Sequence, residues 1–139
     1  MELRDICCGP PAIMLKKDAT AMDAIAAMVE NKVRSVIVDR QDTNDAYGMI
    51  TITDIINDVI SKGIEPRAIS ANDISSKPLK ASNNLDLDIK WIAKKMANES
   101  VSQLAVFEAE ALKCIVTDVD ILKAMAKELK ENHHKEGKK

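Results

Sequence analysis

Two short stretches of this chain carry the same residue types at the same spacing. Gly48-Met49-Ile50-Thr51-Ile52-Thr53-Asp54-Ile55-Ile56 returns sixty-six residues later as Cys114-Ile115-Val116-Thr117-Asp118-Val119-Asp120-Ile121-Leu122. In each, an apolar run ends in Thr-x-x-Asp and opens into a helical pattern. A carboxylate in the first turn of a helix has two acceptor oxygens, which suits the paired hydroxyls of a ribose, and charge-assisted hydrogen bonds are the stronger class. Asp54 and Asp120 are therefore candidate ribose acceptors. One turn earlier, Thr51 and Thr117 can donate a hydroxyl to a phosphate oxygen, while the free N–H groups of a helix start attract anions. The chemistry on offer is a small anion-plus-diol site. The same residue types also cap helices in any protein, so capping stands beside binding as a second reading.

The repetition reaches beyond these stretches and defines the elements that must position them. Ile6-Cys7-Cys8-Gly9-Pro10 lies over Ile74-Ser75-Ser76-Lys77-Pro78, and Val33-Arg34-Ser35-Val36-Ile37-Val38 over Val101-Ser102-Gln103-Leu104-Ala105-Val106, both at an offset of sixty-eight. The chain is two copies of one supersecondary unit, with the connector 39–47 shortened in the second. In the first copy, Thr20-x-x-Asp23 opens an amphipathic helix up to about Asn31. Val33–Val38 and Tyr47–Ile52 read as a hairpin around a polar connector. Thr53-Asp54 then caps a second helix, Ile55–Ser61, which Gly63 ends. The second copy repeats this with a helix near Asp88–Ala97, strands near Gln103–Phe107 and Leu112–Val116, and a last helix from Asp120 to about Glu131. The expected division is residues 1–65, residues 66–131, and a frayed charged tail at 132–139.

Composition excludes several function classes. At 139 residues with a net charge of -2, there is no basic surplus to compete for nucleic acid and no apolar stretch of membrane-spanning length. Three cysteines cannot all pair within one chain, and the amino terminus lacks a secretory pattern, which points to a reducing cytoplasm. Cys7-Cys8, opposite Ser75-Ser76, reads as small residues beside a tight turn, with a redox role as the other reading. His133-His134 falls in the tail and is read as solvated rather than as a metal site. No Gly-x-Ser-x-Gly elbow, phosphate-binding glycine loop or His-Glu-x-x-His occurs, so no catalytic residue and no enzyme activity is expected.

Strand-helix-strand-strand-helix in tandem, with Thr-x-x-Asp before each last helix, resembles the cystathionine β-synthase (CBS) domain, and the pair is similar to a Bateman module over about Met1–Lys130. The resemblance implies an α+β fold in which two β-α-β-β-α repeats pack through their sheets with pseudo-twofold symmetry. It also implies two clefts between the repeats that hold adenine nucleotides or related adenosyl compounds. By the same resemblance, Ile13 and Val33 would line one cleft with Asp120, and Ala81 and Val101 the other with Asp54. Arg34 matches a basic position that reaches phosphate. Each of these apolar residues also reads as plain core, and Arg34 as a surface arginine.

This chain departs from the family pattern in ways that bear on the ligand. The position before each motif aspartate, often basic in the family, is Thr53 or Val119, and Asp118 adds negative charge beside the second motif. The glycine opening the motif is Cys114 in the second copy, and the counterpart of Arg34 is Ser102. A polyphosphate meets too little compensating charge, so the expected ligand carries one phosphate or none, with one tight site at most. AMP, ATP and S-adenosylmethionine are the ligands to test; no cofactor is required. The expectation is a cytoplasmic sensor of an adenosyl ligand that signals to an unknown regulated protein and forms a homodimer through Ile55, Ile56, Val59, Ile60, Ile121, Leu122, Met125 and Leu129. A ligand-free dimerisation or interaction scaffold is the alternative.

Overall fold

A computed structural model describes residues 1–7, 12–77 and 79–137, with side chains up to residue 131. The fold is mixed α and β, with two three-stranded sheets. The chain forms two compact units: unit 1 joins Met1–Pro11 to Lys80–Lys139, and unit 2 is Ala12–Leu79.

Unit 2 grows from a helix whose sequence determines both its ends. Asp23 N–H donates to Thr20 Oγ1 at 3.3 Å and Thr20 N–H to Asp23 Oδ2 at 2.9 Å, so two donors that a helix start leaves unmet are satisfied reciprocally. Helix α2, Ala21–Asn31, then buries Ala21, Ala24 and Met28 along one stripe and stops at Lys32 in a left-handed conformation. Strands β1 (Met14–Leu15), β2 (Ser35–Val38) and β3 (Gly48–Thr51) form a sheet in the order β1-β2-β3, the first pair parallel and the second antiparallel. Val36, Val38 and Ile50 face the α2 stripe in the core. After β3, helix α3 (Ile52–Ile55) widens into π-type turns over Ile56–Ile60, and Ile55 and Val59 enter the same core. A 3-10 turn, Pro66–Ala68, leads to the short helix α4 (Ala71–Ile74).

Unit 1 repeats this plan with the helix α1 (Leu3–Ile6), strands β4 (Ala81–Ser82), β5 (Gln103–Glu108) and β6 (Ala111–Thr117), and helices α5 (Ile89–Asn98) and α6 (Asp118–Gly137). The sheet order is β4-β5-β6. The shorter connector is a two-residue turn in which Ala109 and Glu110 both have positive φ, 50° and 69°. Leu3, Leu85, Ile92, Met96, Leu104, Val106, Cys114 and Val116 form the core.

The two lead-in helices are exchanged. Helices α1 and α4 occupy matching places in the repeat, yet α1 packs in the unit built from the second copy and α4 in the unit built from the first. Leu3 N–H donates to Leu87 O and Arg4 N–H to Leu85 O, both at 2.8 Å, while Ala71 N–H donates to Ala19 O at 2.9 Å. The compact units therefore do not follow the linear division at residue 65.

Three sequence expectations need correction. The second helix of the first copy is capped by Thr51, not by Thr53-Asp54, because Asp54 sits at the third helical position and closes a reciprocal box with Thr51. In the same way α6 starts at Asp118, after Thr117, rather than at Asp120. Helix α6 continues through Gly137, so residues 132–137 are helical rather than a frayed tail; 138–139 lie outside the described residues.

Candidate functional site

The repeated motif folds into the same local geometry in each unit. In unit 2, Thr51 N–H donates to Asp54 Oδ2 at 2.8 Å, Thr51 Oγ1 donates to the same oxygen at 3.0 Å, and Asp54 N–H donates to Thr51 Oγ1 at 3.2 Å. In unit 1, Thr117 N–H donates to Asp120 Oδ2 at 2.9 Å and Asp120 N–H to Thr117 Oγ1 at 3.2 Å. Capping is therefore a real task of these residues. It occupies one carboxylate oxygen only: among the described residues, Oδ1 of Asp54 and Oδ1 of Asp120 accept no hydrogen bond. Both aspartates are half-buried, and the cap holds each carboxylate in place.

The strands bring a cation to the first of these helix starts. Ser35 pairs with Thr51 across β2 and β3, and Ile52 N–H donates to Arg34 O at 3.2 Å, which anchors Arg34 beside the first turn of α3. Its side chain is exposed and makes no ion pair among the described residues. At the matching place in unit 1, Asp118 N–H donates to Ser102 O at 2.9 Å, so the same backbone geometry presents a hydroxyl in place of a guanidinium.

Ile13 and Val33 are partly buried against the unit 2 core, and Val101 against the unit 1 core. Ala81 is half-buried in β4. The matching of Ile13 to Ala81 shifts by one residue in the structure. Met14 pairs with Ile37, whereas Ala81 pairs with Ala105, the repeat partner of Ile37. Likewise Ile37 N–H donates to Ile13 O and Ala105 N–H to Lys80 O. Lys80, which is exposed, is thus the counterpart of Ile13, and a one-residue slip in a strand reverses the face a side chain occupies.

The proposed apolar stripe also divides. Ile55 and Val59 are core, while Ile56 and Ile60 are exposed; on α6, Leu122, Met125 and Leu129 are exposed and Ile121 is partly buried. A hollow of about 530 Å³ in unit 1 runs beside α5 and α6 and is lined in part by Ile89, Lys94, Ile121 and Met125. A second, of about 630 Å³, lies in unit 2 at the hairpin end of the sheet, lined in part by Lys16, Lys17, Arg40 and Tyr47. Neither hollow is lined by Thr51, Asp54, Thr117 or Asp120. Among the described residues no group of three or more His, Cys, Asp or Glu side chains forms a metal cage, and no helix is long and apolar enough to cross a membrane.

The feature that sequence reasoning missed is a cysteine pair. Cys7 and Cys114 of unit 1 are disulfide-bonded, with their Cα atoms 6.0 Å apart. Cys7 is therefore not merely a small residue beside a turn; Cys8 lies outside the described residues. The repeat alignment sets Cys7 over Ser75 and Cys114 over Gly48, but only the structure shows that these two places meet, since a Cβ built on Gly48 would crowd Ser75.

A duplicated α+β unit with a capped Thr-x-x-Asp start after each last strand defines a tandem-repeat module of the Bateman type. The chain belongs to the CBS domain family, whose description matches residues 3–61 and 84–127. An uncharacterised protein of Methanopyrus kandleri is 28% identical over 120 residues, 86% of this chain and 57% of its own length. The chain thus spans little more than half of that curated relative. The hexameric CBS-CP12 protein from bloom-forming cyanobacteria is similar at 28% identity and a TM-score of 0.80, covering 88% of this chain and 69% of that one. A protein with CBS domains from Burkholderia ambifaria shares the fold at 18% identity and a TM-score of 0.78, covering 90% of this chain and 93% of that one.

Proposed function

We propose that this protein is a regulatory module that senses an adenosyl ligand, with AMP or S-adenosylmethionine favoured over ATP. One observation carries the reading: in both repeats the cap fixes the motif aspartate while leaving its Oδ1 without a partner among the described residues. One ribose hydroxyl donates to that oxygen; a second shares Oδ1 at Asp54, where Oδ2 already accepts two bonds from Thr51, and reaches the remaining lone pair of Oδ2 at Asp120. Arg34 and the N–H groups at the start of α3 suit one phosphate near Asp54, whereas Asp118 and Ser102 make the other motif a poorer place for anionic charge. Ligand binding signals only if it differs in affinity between two states of the protein that a partner protein distinguishes.

Thermal unfolding with AMP, ATP and S-adenosylmethionine tests this. A ligand at a hundredfold excess over its dissociation constant stabilises by about 2.7 kcal/mol, well within measurement. The absence of a saturable shift with all three at millimolar concentration would sink the sensor reading. A second reading, an interaction scaffold, is supported by the exposed apolar residues Ile56, Ile60, Leu122, Met125 and Leu129. Such surface in a soluble chain marks association, and symmetric self-association is the commonest form. Sedimentation should then show a dimer or larger assembly that Leu122→Glu weakens, independent of nucleotide.

A further inference from the structure

We propose that Cys7 and Cys114 form a redox-governed fastening that ties the amino-terminal segment to strand β6 of unit 1, closed by thiol–disulfide exchange with a low-molecular-weight disulfide and opened by a dithiol. The internal repeat provides the control for this idea. In unit 2 the residues at the same two places are Ser75 and Gly48, and a Cβ placed on Gly48 would sit 2.5 Å from Ser75 Oγ and 2.8 Å from Ser75 Cβ. The fold itself therefore presses these two positions together, in the presence or absence of sulfur. Only in unit 1 are both of them cysteine, and there the Cα atoms are 6.0 Å apart, within the range a disulfide spans. A shift in the β5–β6 register between Val106 and Phe107 leaves Lys113 as an extra residue just before Cys114, a device that re-aims the following side chain.

Access decides the direction of exchange. Cys114 is 4% exposed in the core, whereas Cys7 is only partly buried against it. The Cys7 thiolate attacks one sulfur of oxidised glutathione, expelling one glutathione thiolate and leaving a mixed disulfide on Cys7. The Cys114 thiol then loses its proton to solvent and attacks Cys7 Sγ, forming the internal bond and expelling the second glutathione thiolate. Two protein thiols are oxidised and one small disulfide is reduced. The bond closes a covalent ring across a sequence separation of 107 residues, which contains all of unit 2. The segment it ties already inserts Leu3 into the core and places Arg4 3.0 Å from Asp86, so opening the bond loosens a docked segment rather than creating a new one.

The test equilibrates the whole chain in reduced or oxidised glutathione, alkylates it in the native and in the denatured state, and maps the labels by fragmentation. In the oxidised sample, denatured protein should take up label at Cys8 alone, and the melting temperature should exceed that of the reduced sample by about 10 °C. Cys7→Ser, which installs the residue already present at position 75, should fold and lose that redox dependence, while Cys8→Ser should keep it. Labelling of all three cysteines in oxidised, denatured protein would overturn the proposal. So would a redox-dependent shift that survives Cys7→Ser or vanishes in Cys8→Ser.

Discussion

Leu3→Ala is the most direct test of the exchanged helices, because it perturbs a residue at the far end of the chain from the core it fills. Leu3 is fully buried, and its neighbours in that core, Leu85, Ile92, Leu104 and Val116, all come from the second half of the sequence. Truncating such a leucine loses its transfer free energy and leaves a cavity, about 2.7 to 5 kcal/mol where surroundings are rigid. A short helix near a chain end can settle into the gap, so the lower part of that range, about 3 kcal/mol, is expected. A surface position would change stability by less than about 0.5 kcal/mol. Trp91, the single tryptophan, lies on α5 of unit 1, and its fluorescence during urea unfolding reports that unit. Measurement under reducing conditions keeps the cysteine pair out of the comparison. Hydrogen exchange adds location: the amides of Leu3, Arg4 and Ile89, bonded to Leu87, Leu85 and Met1, should lose protection, while those of Ala21, Ile37 and Ala71 in unit 2 should keep it. A stability change under about 0.5 kcal/mol, or loss of protection centred on unit 2, would refute the exchange.

Other perturbations probe single contacts. Gly48→Ala drives a methyl group against Ser75 and should destabilise unit 2 by about 1 to 3 kcal/mol in chemical unfolding, whereas Cys114→Ala in unit 1 introduces no comparable clash. Lys32 and Ser100 end α2 and follow α5 with φ of 54° each, so Lys32→Gly and Ser100→Gly should each raise stability by about 1 kcal/mol. The Gln41 N–H and then the Lys77 ammonium hold the Asp45 carboxyl below its ordinary range. A depressed folded value stabilises above the unfolded pKa, about 3.9, and that contribution disappears as pH falls through the folded value. The stability difference between the parent and Asp45→Asn should therefore be present at neutral pH and vanish in acid.

The duplication was legible because hydrophobic runs and Thr-x-x-Asp recur with one change of offset, and α2 was legible because Thr20 and Asp23 flag its start. The exchange of α1 and α4 was not. Linear similarity says that Ile6 and Ile74 occupy like places; it carries no information on which copy each lead-in segment packs against. The helix starts were misplaced by up to three residues because Thr53-Asp54 has capping residues as good as those of Thr51. The choice is made by geometry, since Asp54 as third helical residue satisfies Thr51 N–H as well as accepting its hydroxyl. Strands β1 and β4 are two residues long, too short for alternation to set their register, and the match of Ile13 to Ala81 slipped there.

On the proposed sensor reading the motif aspartate would have two tasks at once. Oδ2 completes the helix cap, and a ligand that bonded to Oδ1 would meet a group whose orientation the cap has already fixed. Asp54→Ala removes both tasks and should cost about 1 kcal/mol of stability through the cap alone, besides any ligand effect. Asp54→Asn keeps an acceptor oxygen and the side-chain volume, so the cap should survive while the amide, donor on one side and uncharged, is a poorer partner for a diol. The expected pattern in thermal unfolding is a lower melting temperature for Asp54→Ala without ligand, a near-parental one for Asp54→Asn, and a reduced AMP-dependent rise in both. If Asp54→Asn and Asp120→Asn both respond to AMP as the parent does, the carboxylates only cap, and the nucleotide is held elsewhere.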